Sequence, residues 1–139
     1  MRVVLDTVIF VRALINPKGR WGRLLFERPN RFVIVLSPDI VKEILSVLYR
    51  PVLRRRFPQM AEPPHLERVL ALLAEAEVVE PGERLAICRD PADDKFFECA
   101  LAAGAEFIVT EDKDILDLKE YRGVKTVTAE AFLALLESA

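Results

Sequence analysis

Short apolar runs alternate with segments of helical periodicity along this chain. The runs are rich in Val, Ile and Phe, and they cover residues 2–5, 32–36, 77–79, 107–109 and 124–127. Runs that are apolar at successive positions, rather than at alternate ones, are typical of strands that are buried on both faces. Their alternation with helices indicates a parallel sheet that helices cover on both sides. The pattern therefore predicts an α/β fold, and residues 1–139 are expected to form a single domain.

The best defined helix follows the second apolar run. Ser37 is a natural N-cap, Pro38 suits the first helical position, and Arg50-Pro51 is expected to end the helix. Apolar residues recur at helical spacing on the side that should face the core, namely Val41, Ile44, Leu45 and Leu48. Glu43 projects just past the edge of this stripe. Its side chain either reaches around the flank toward one end of the sheet or is a solvated surface group.

Acidic residues follow two of the predicted strands. Asp6 comes directly after the first run, and Asp112 and Asp114 come after the run at 107–109 and Thr110. Buried carboxylates cost free energy unless a positive group meets them, and the carboxyl ends of parallel strands line the crevice in which ligands bind. The two later aspartates could instead be helix-start residues, so the pattern alone leaves both interpretations open.

Another acidic pair precedes a predicted helix that ends at Gly104. Either Asp93 or Asp94 would cap the N-terminus of this helix, which is a purely structural role. On a helical projection, Asp93 lies over the apolar stripe and Asp94 lies off its flank. A carboxylate over the buried stripe points toward the edge of the sheet, and this favours Asp93 for function.

Convergence of these carboxylates would predict a metal site. Like charges repel, and a hard divalent cation is the simplest partner that resolves the repulsion. Mg²⁺ prefers oxygen ligands and keeps several waters, so a few carboxylates and a substrate phosphate suffice. One or two such ions can activate a water and orient a phosphate for in-line attack. A zinc site is disfavoured because the chain has one His and two Cys, with no ligand cluster.

Charge is distributed unevenly along the chain. Residues 1–60 carry twelve Lys or Arg against four Asp or Glu, and residues 61–139 carry eight against eighteen, although the net charge is only −2. A basic half favours contact with a polyanion or an acidic partner, unless the charges mix on the folded surface. Nine of the twelve form two clusters, an early one of Arg12, Lys18, Arg20, Arg23, Arg28 and Arg31 and the later triplet Arg54-Arg55-Arg56. Trp21 either stacks on an unpaired base or packs within a helix.

Targeting signals are not predicted. No apolar window approaches the length of a membrane span, and Asp6 interrupts the first apolar run too early for a signal peptide. Two cysteines fit neither a disulfide framework nor a zinc pattern. The chain is therefore expected to be a cytoplasmic protein.

The ordered set of motifs resembles a PIN domain, and it is similar to the VapC-like toxin components of bacterial toxin–antitoxin pairs. The resemblance runs over residues 2–130, nearly the whole chain. It rests on Val3-Val4-Leu5-Asp6-Thr7, on Leu36-Ser37-Pro38 leading to Glu43, on Asp90-Pro91-Ala92-Asp93, and on Ile108-Val109-Thr110-Glu111-Asp112-Lys113-Asp114. Each motif is weak alone, and their order along the chain is what makes the resemblance specific.

The resemblance implies a three-layer α/β/α fold with a central parallel sheet of four to five strands. It also implies Mg²⁺- or Mn²⁺-dependent cleavage of RNA that leaves 5′-phosphate and 3′-hydroxyl ends, a cognate antitoxin protein and a homodimer. By position, the acidic metal-binding and catalytic set would be Asp6, Glu43, Asp93 and Asp112, supported by Thr7 and Thr110. Asp94 and Asp114 are the alternatives if the alignment shifts, and Arg12, Arg20 and Arg23 are the candidates for RNA contact.

One position departs from the family pattern. The family usually has Asn after the first Asp-Thr, whereas this chain has Val8. Loss of that amide bears on the orientation of Asp6 and leaves open a weak or inactive PIN-type module that binds RNA or a protein. A phosphatase-like hydrolase is the least favoured alternative, because the chain has no covalent nucleophile motif and no Gly-rich phosphate loop.

Overall fold

A mostly parallel sheet forms the centre of the fold. The computed structural model describes residues 1–27 and 31–138, and within them six strands lie in the order β3-β2-β1-β4-β6-β5. The strands are β1 Arg2–Leu5, β2 Val33–Leu36, β3 Glu77–Val78, β4 Phe107–Val109, β5 Glu120–Tyr121 and β6 Val124–Val127. All neighbours are parallel except β5, which pairs antiparallel with β6. The predicted parallel sheet is confirmed, and it gains a short antiparallel edge strand that the sequence pattern did not predict.

Helices flank the sheet and make the expected three-layer α/β/α fold. They are α1 Thr7–Ile15, α2 Arg20–Gly22, α3 Pro38–Leu48, α4 Pro51–Arg56, α5 Pro63–Glu75, α6 Asp94–Ala103, α7 Lys113–Leu116 and α8 Ala129–Ser138. A π-helical turn, Arg23–Glu27, continues α2, and 3₁₀ turns cover Pro58–Ala61 and Pro91–Asp93. Val3, Val4 and Leu5 of the central strand β1 are completely buried. Because successive strand residues point to opposite faces, both faces of the sheet are covered.

The order of the strands creates a topological switch point between β1 and β4. From β1 the chain builds β2 and β3 on one side, and it later returns to place β4 and β6 on the other side. The Asp6 N–H donates to the Val109 carbonyl at 2.9 Å, and the Thr110 N–H donates to the Val127 carbonyl at 2.9 Å. The carboxyl ends of β1, β4 and β6 therefore lie at the same edge of the sheet. In open α/β sheets, ligands bind at this edge.

Helix α3 begins and ends as predicted, but its buried face is rotated. The Ser37 hydroxyl accepts the Ile40 N–H at 3.4 Å, which confirms the cap. The completely buried residues are Ile40, Ile44 and Leu48, whereas Leu45 is 38% exposed. The predicted stripe was wrong for Leu45, because the helix packs along the i, i+4, i+8 row that starts at Ile40. Glu43 is half-buried on the flank of this face.

Helix α6 ends at Gly104, which confirms the predicted stop. Gly104 has φ +66°, a left-handed conformation that glycine adopts without steric cost. Arg28, one of the predicted basic residues, lies outside the described residues. Among the helices that the structure describes, none has the length and apolarity needed to cross a membrane.

Candidate functional site

A cavity of about 620 Å³ opens at the switch point. It lies beyond the carboxyl ends of β1 and β4, between the starts of α1 and α6 and the flank of α3. The lining residues are Asp6, Thr7, Val8, Val11, Arg12, Glu43, Val47, Arg50, Leu53, Asp93, Glu111 and Asp112. The fold therefore brings Asp6, Glu43, Asp93 and Asp112 to one cavity from four separate segments of the chain.

Asp6 is the most buried of these four acids. It is only 8% exposed, and its Oδ2 accepts the Thr110 hydroxyl at 2.7 Å. Burial raises the pKa of Asp6, and the negative charges of Glu43 and Asp112 raise it further. The hydrogen bond from Thr110 and a backbone hydrogen bond from Val8 oppose this rise. Hydrogen-bond donors therefore orient the Asp6 carboxylate, but they do not fully offset the rise in its pKa.

Glu43 reaches the cavity from α3 and is held by two donors. Its Oε2 accepts the Thr7 hydroxyl, and its Oε1 lies 2.7 Å from the ammonium nitrogen of Lys95. The Lys95 side chain is only 15% exposed. The partly buried position of Glu43 is therefore compensated by an ion pair and a hydrogen bond.

Asp93 and Asp112 stand at the starts of two helices. Asp93 occupies the N-cap position of α6 but makes no capping hydrogen bond with its side chain. Burial, followed by the charges of Asp112, Asp6 and Asp90, raises the pKa of Asp93 to about 6. Asp112 caps α7, since its Oδ1 accepts the Asp114 N–H at 2.8 Å.

Asp94 and Asp114, the alternative ligands, lie outside the cavity lining. Asp94 is buried, and its Oδ1 accepts the N–H groups of Ile87 and Cys88 at 3.0 and 2.8 Å. It therefore anchors the segment that precedes α6. Asp114 forms an ion pair with Arg89 at 3.4 Å. Both carboxylates are thus engaged by protein donors away from the cavity lining.

The predicted RNA-contact residues separate into two groups. Arg12 lines the cavity, whereas Arg20 pairs with Glu130 at 3.3 Å and Arg23 pairs with Glu137 at 3.3 Å. Both of these glutamates lie on α8, so the two ion pairs tie α2 and the turn after it to that helix. Arg50 also lines the cavity. Sequence reasoning treated Arg50 only as the end of α3, and the sole available signal was its place before Pro51.

Trp21 and Glu111 form a structural link beside the cavity. The Trp21 indole N–H donates to Glu111 Oε1 at 3.1 Å, and the same oxygen accepts the Ala129 N–H at 3.1 Å. The guanidinium groups of Arg12 and Arg20 lie 5.1 and 5.3 Å from the Trp21 ring centre. Trp21 is also partly buried against the hydrophobic core, so the packing interpretation accounts for its position.

Chemically, the acidic set suits a hard divalent cation. Its donors are carboxylate oxygens, which Mg²⁺ and Mn²⁺ prefer, and mutual repulsion contributes to the raised pKa values of Asp6 and Asp93. In residues 1–27 and 31–138, no group of three or more His, Cys, Asp or Glu side chains forms a preassembled metal cluster. Lysine and threonine donors hold several of the oxygens instead: Lys95 and Thr7 hold Glu43, and Thr110 holds Asp6.

A family model, one relative and two solved structures match this chain. A family model described as the PIN domain matches residues 2–114. The uncharacterized protein MJ1680 from Methanocaldococcus jannaschii is 35% identical over 123 residues, which are 86% of this chain and 76% of that protein.

Two crystal structures share the fold at low sequence identity. PAE2754 from Pyrobaculum aerophilum superposes with a TM-score of 0.65 at 18% identity and full coverage of both chains. The second structure is VapBC2 from Rickettsia felis, bound to a DNA fragment from its promoter. One of its chains superposes with a TM-score of 0.58 at 16% identity. That match covers 92% of this chain and 98% of the VapBC2 chain.

Proposed function

Because this chain belongs to the PIN domain family, whose members are generally nucleases, we propose that it is a metal-dependent endoribonuclease. The observation that carries the proposal is the meeting of Asp6, Glu43, Asp93 and Asp112 at one cavity. Asp6 is buried and Asp93 is partly buried, and neighbouring carboxylate charges help to raise the pKa of both, so uptake of a divalent cation is favoured. Mg²⁺ or Mn²⁺ is the cofactor that this oxygen donor set would select.

The acids and their supporting hydroxyls have distinct roles in this proposal. The acidic cavity would hold the metal, which when bound activates a water and neutralises charge on the phosphate and the leaving oxygen. The Thr110 hydroxyl keeps the Asp6 carboxylate directed into the cavity. Burial of Asp6 strengthens its electrostatic interaction with any bound cation, because water screens buried charges less.

Arginines at the cavity are suited to the substrate. Arg12 and Arg50 line the same cavity as the acids, and guanidinium groups bind phosphate oxygens in pairs. A phosphodiester at the acids would place its neighbouring phosphates within reach of this cavity wall. RNA, rather than DNA, is proposed from the resemblance to VapC-like proteins.

The test is cleavage of a panel of single-stranded RNA and DNA oligonucleotides by the purified protein. We expect RNA cleavage with Mg²⁺ or Mn²⁺, and none in the presence of a chelator. Asp6→Asn should abolish it, while Asp117→Asn, which changes an exposed aspartate outside the cavity lining, should leave it unchanged. Equal cleavage by the Asp6→Asn variant would refute the assignment.

A second candidate function is a non-catalytic module that binds RNA or a protein. It is favoured by Val8, which lines the cavity next to Asp6 where the family usually has an amide. Metal titration separates the two functions. A protein that retains RNA affinity but binds no Mn²⁺ would support the module and exclude the nuclease.

The proposal extends to partners. Fold similarity to a VapBC2 chain supports a small cognate antitoxin, and the family resemblance supports a homodimer. We expect a small reading frame directly upstream of the gene, and co-expression with its product should yield a co-purifying complex. Light scattering on the purified chain should give the mass of a dimer. A monomeric mass at micromolar concentration would contradict the proposed homodimer.

A further inference from the structure

An ammonium group, that of Lys95, lies beside the cavity and forms an ion pair with Glu43, one of its four acids. Lys95 lies in the first turn of α6, two residues after Asp93. Its Nζ lies 2.7 Å from Glu43 Oε1 and also donates to the Ala92 carbonyl. The side chain is 15% exposed, and Nζ lies 5.2 Å from the centre of the Phe96 ring. A lysine held this closely, with little exposure, is a fixed charge rather than a mobile surface group.

The four acids therefore differ in how their oxygens are used. Both oxygens of Glu43 are engaged, Oε1 by Lys95 and Oε2 by the Thr7 hydroxyl. Asp93 makes no capping hydrogen bond with its side chain, and Asp112 uses Oδ1 for a backbone N–H. A divalent ion coordinated to Glu43 would stand beside an ammonium that is already bound to the same carboxylate. Repulsion between those two cations opposes direct coordination there.

We propose that Lys95 is a positioning residue that acts as a built-in counter-ion: it holds Glu43 out of direct metal coordination and leaves Asp6, Asp93 and Asp112 to ligate a single ion. This inference rests on the proposed metal-dependent function. It goes further by dividing the acidic set into three ligands and one carboxylate that a lysine neutralises. In this division Lys95 provides the positive charge that a second metal ion would otherwise supply.

A titration of the purified chain with Mn²⁺ tests this division without relying on activity. The electron paramagnetic resonance signal of free Mn²⁺ measures how much ion is bound. We expect one ion per chain. Glu43→Gln should change the Mn²⁺ affinity by no more than about threefold, whereas Asp112→Asn should weaken it by at least about tenfold. Lys95→Met should tighten binding by about tenfold or admit a second ion, because it removes a nearby positive charge and releases Glu43. The double variant Lys95→Met/Glu43→Gln should return toward the wild-type affinity.

Two controls keep the test decisive. Lys42→Met removes an exposed lysine of α3 outside the cavity lining, so it should leave Mn²⁺ affinity unchanged. Circular dichroism reports whether each variant folds, and if Lys95→Met does not fold, the Glu43→Gln result decides alone.

Three results would overturn the inference. Glu43→Gln could weaken Mn²⁺ binding as much as Asp112→Asn does, which would make Glu43 a direct ligand. Lys95→Met, correctly folded, could leave affinity and stoichiometry unchanged. If the wild-type chain binds no Mn²⁺ at all, the metal-dependent function fails as well, whereas the first two results refute only the role of Lys95.

Discussion

The hydroxyl of Thr110 donates to the Asp6 carboxylate at 2.7 Å, across 104 residues of sequence. Thr110 is completely buried, and its oxygen also accepts the Asp112 N–H at 3.0 Å. One hydroxyl therefore links the ends of β1 and β4 and aligns two acids of the cavity. It also offsets part of the cost of burying Asp6, because a hydrogen bond to a charged group is stronger than one to a neutral group.

Replacement of Thr110 by valine should impair the site without unfolding the protein. Valine keeps the shape of the side chain but removes the donor to Asp6, so the carboxylate loses its orientation. We expect Mn²⁺ affinity and RNA cleavage to fall by roughly tenfold, measured by titration and initial rates. Thr126→Val is the matched control, since the Thr126 hydroxyl donates to the Leu116 and Lys119 carbonyls. Equal losses in both variants would contradict a specific role for Thr110.

Asp93 and Asp94 are neighbours with opposite expected effects on stability. Asp94→Ala removes the acceptor for the Ile87 and Cys88 N–H groups and should lower the free energy of unfolding by about 2 kcal/mol. Asp93→Ala removes a carboxylate without a capping bond and should be neutral or slightly stabilising in metal-free protein. Urea denaturation at neutral pH measures both variants. The division of roles is contradicted if Asp93→Ala is the more destabilising change.

The stability of the metal-free protein should depend on pH through Asp93. Burial and nearby carboxylates raise the pKa of Asp93 to about 6 in the folded state. A carboxyl whose pKa is higher when folded favours folding below its unfolded pKa, and that contribution is lost as pH rises through the folded pKa. With chelator present, the gain in stability from Asp93→Asn should therefore be larger at pH 7.5 than at pH 5. We expect a difference of about 1 kcal/mol after allowance for solvent screening, by urea denaturation. An identical gain at both pH values would be inconsistent with this pKa.

Arg50 should matter more for RNA binding than Arg20 does. Arg50 lines the cavity, whereas the Arg20 guanidinium pairs with Glu130 and lies over Trp21. Arg50→Ala should weaken RNA affinity several-fold and reduce the slope of log affinity against log salt by about 1. Fluorescence anisotropy in chelator, which prevents cleavage, measures both quantities. If Arg20→Ala has the larger effect, RNA binds along the α2 and α8 surface instead.

Local patterns were sufficient to predict the start of α3, the end of α6 and every described strand except β5. Apolar runs indicated β1, β2 and β4, and Ser37-Pro38 and Gly104 marked helix ends through side-chain and backbone chemistry that acts over a few residues. The antiparallel strand β5 has only two residues, so it carries no periodic signal. The rotation of α3 that exposes Leu45 depends on packing against distant elements, which the sequence pattern does not encode locally.

Long-range pairing explains what the sequence did not indicate about the site. Positions after strands and along helix faces made the four acids candidates, and the resemblance to PIN domains selected them as a set. The ion pair between Glu43 and Lys95 joins α3 to α6, and the hydrogen bond between Trp21 and Glu111 joins segments 90 residues apart. Such contacts depend on how helices meet over the sheet. They decide which acids are engaged by protein donors and which remain for a ligand.

The central claim is that these carboxylates carry out metal-dependent RNA cleavage. Its most direct test is the single-turnover rate of cleavage of one end-labelled RNA, measured against Mn²⁺ concentration for the wild type, Asp112→Asn and the exposed control Asp117→Asn. We predict that the wild-type and control rates rise with Mn²⁺ and saturate, and that Asp112→Asn is slower by at least about 100-fold. Undiminished cleavage by Asp112→Asn, or cleavage that persists in chelator, would contradict the account.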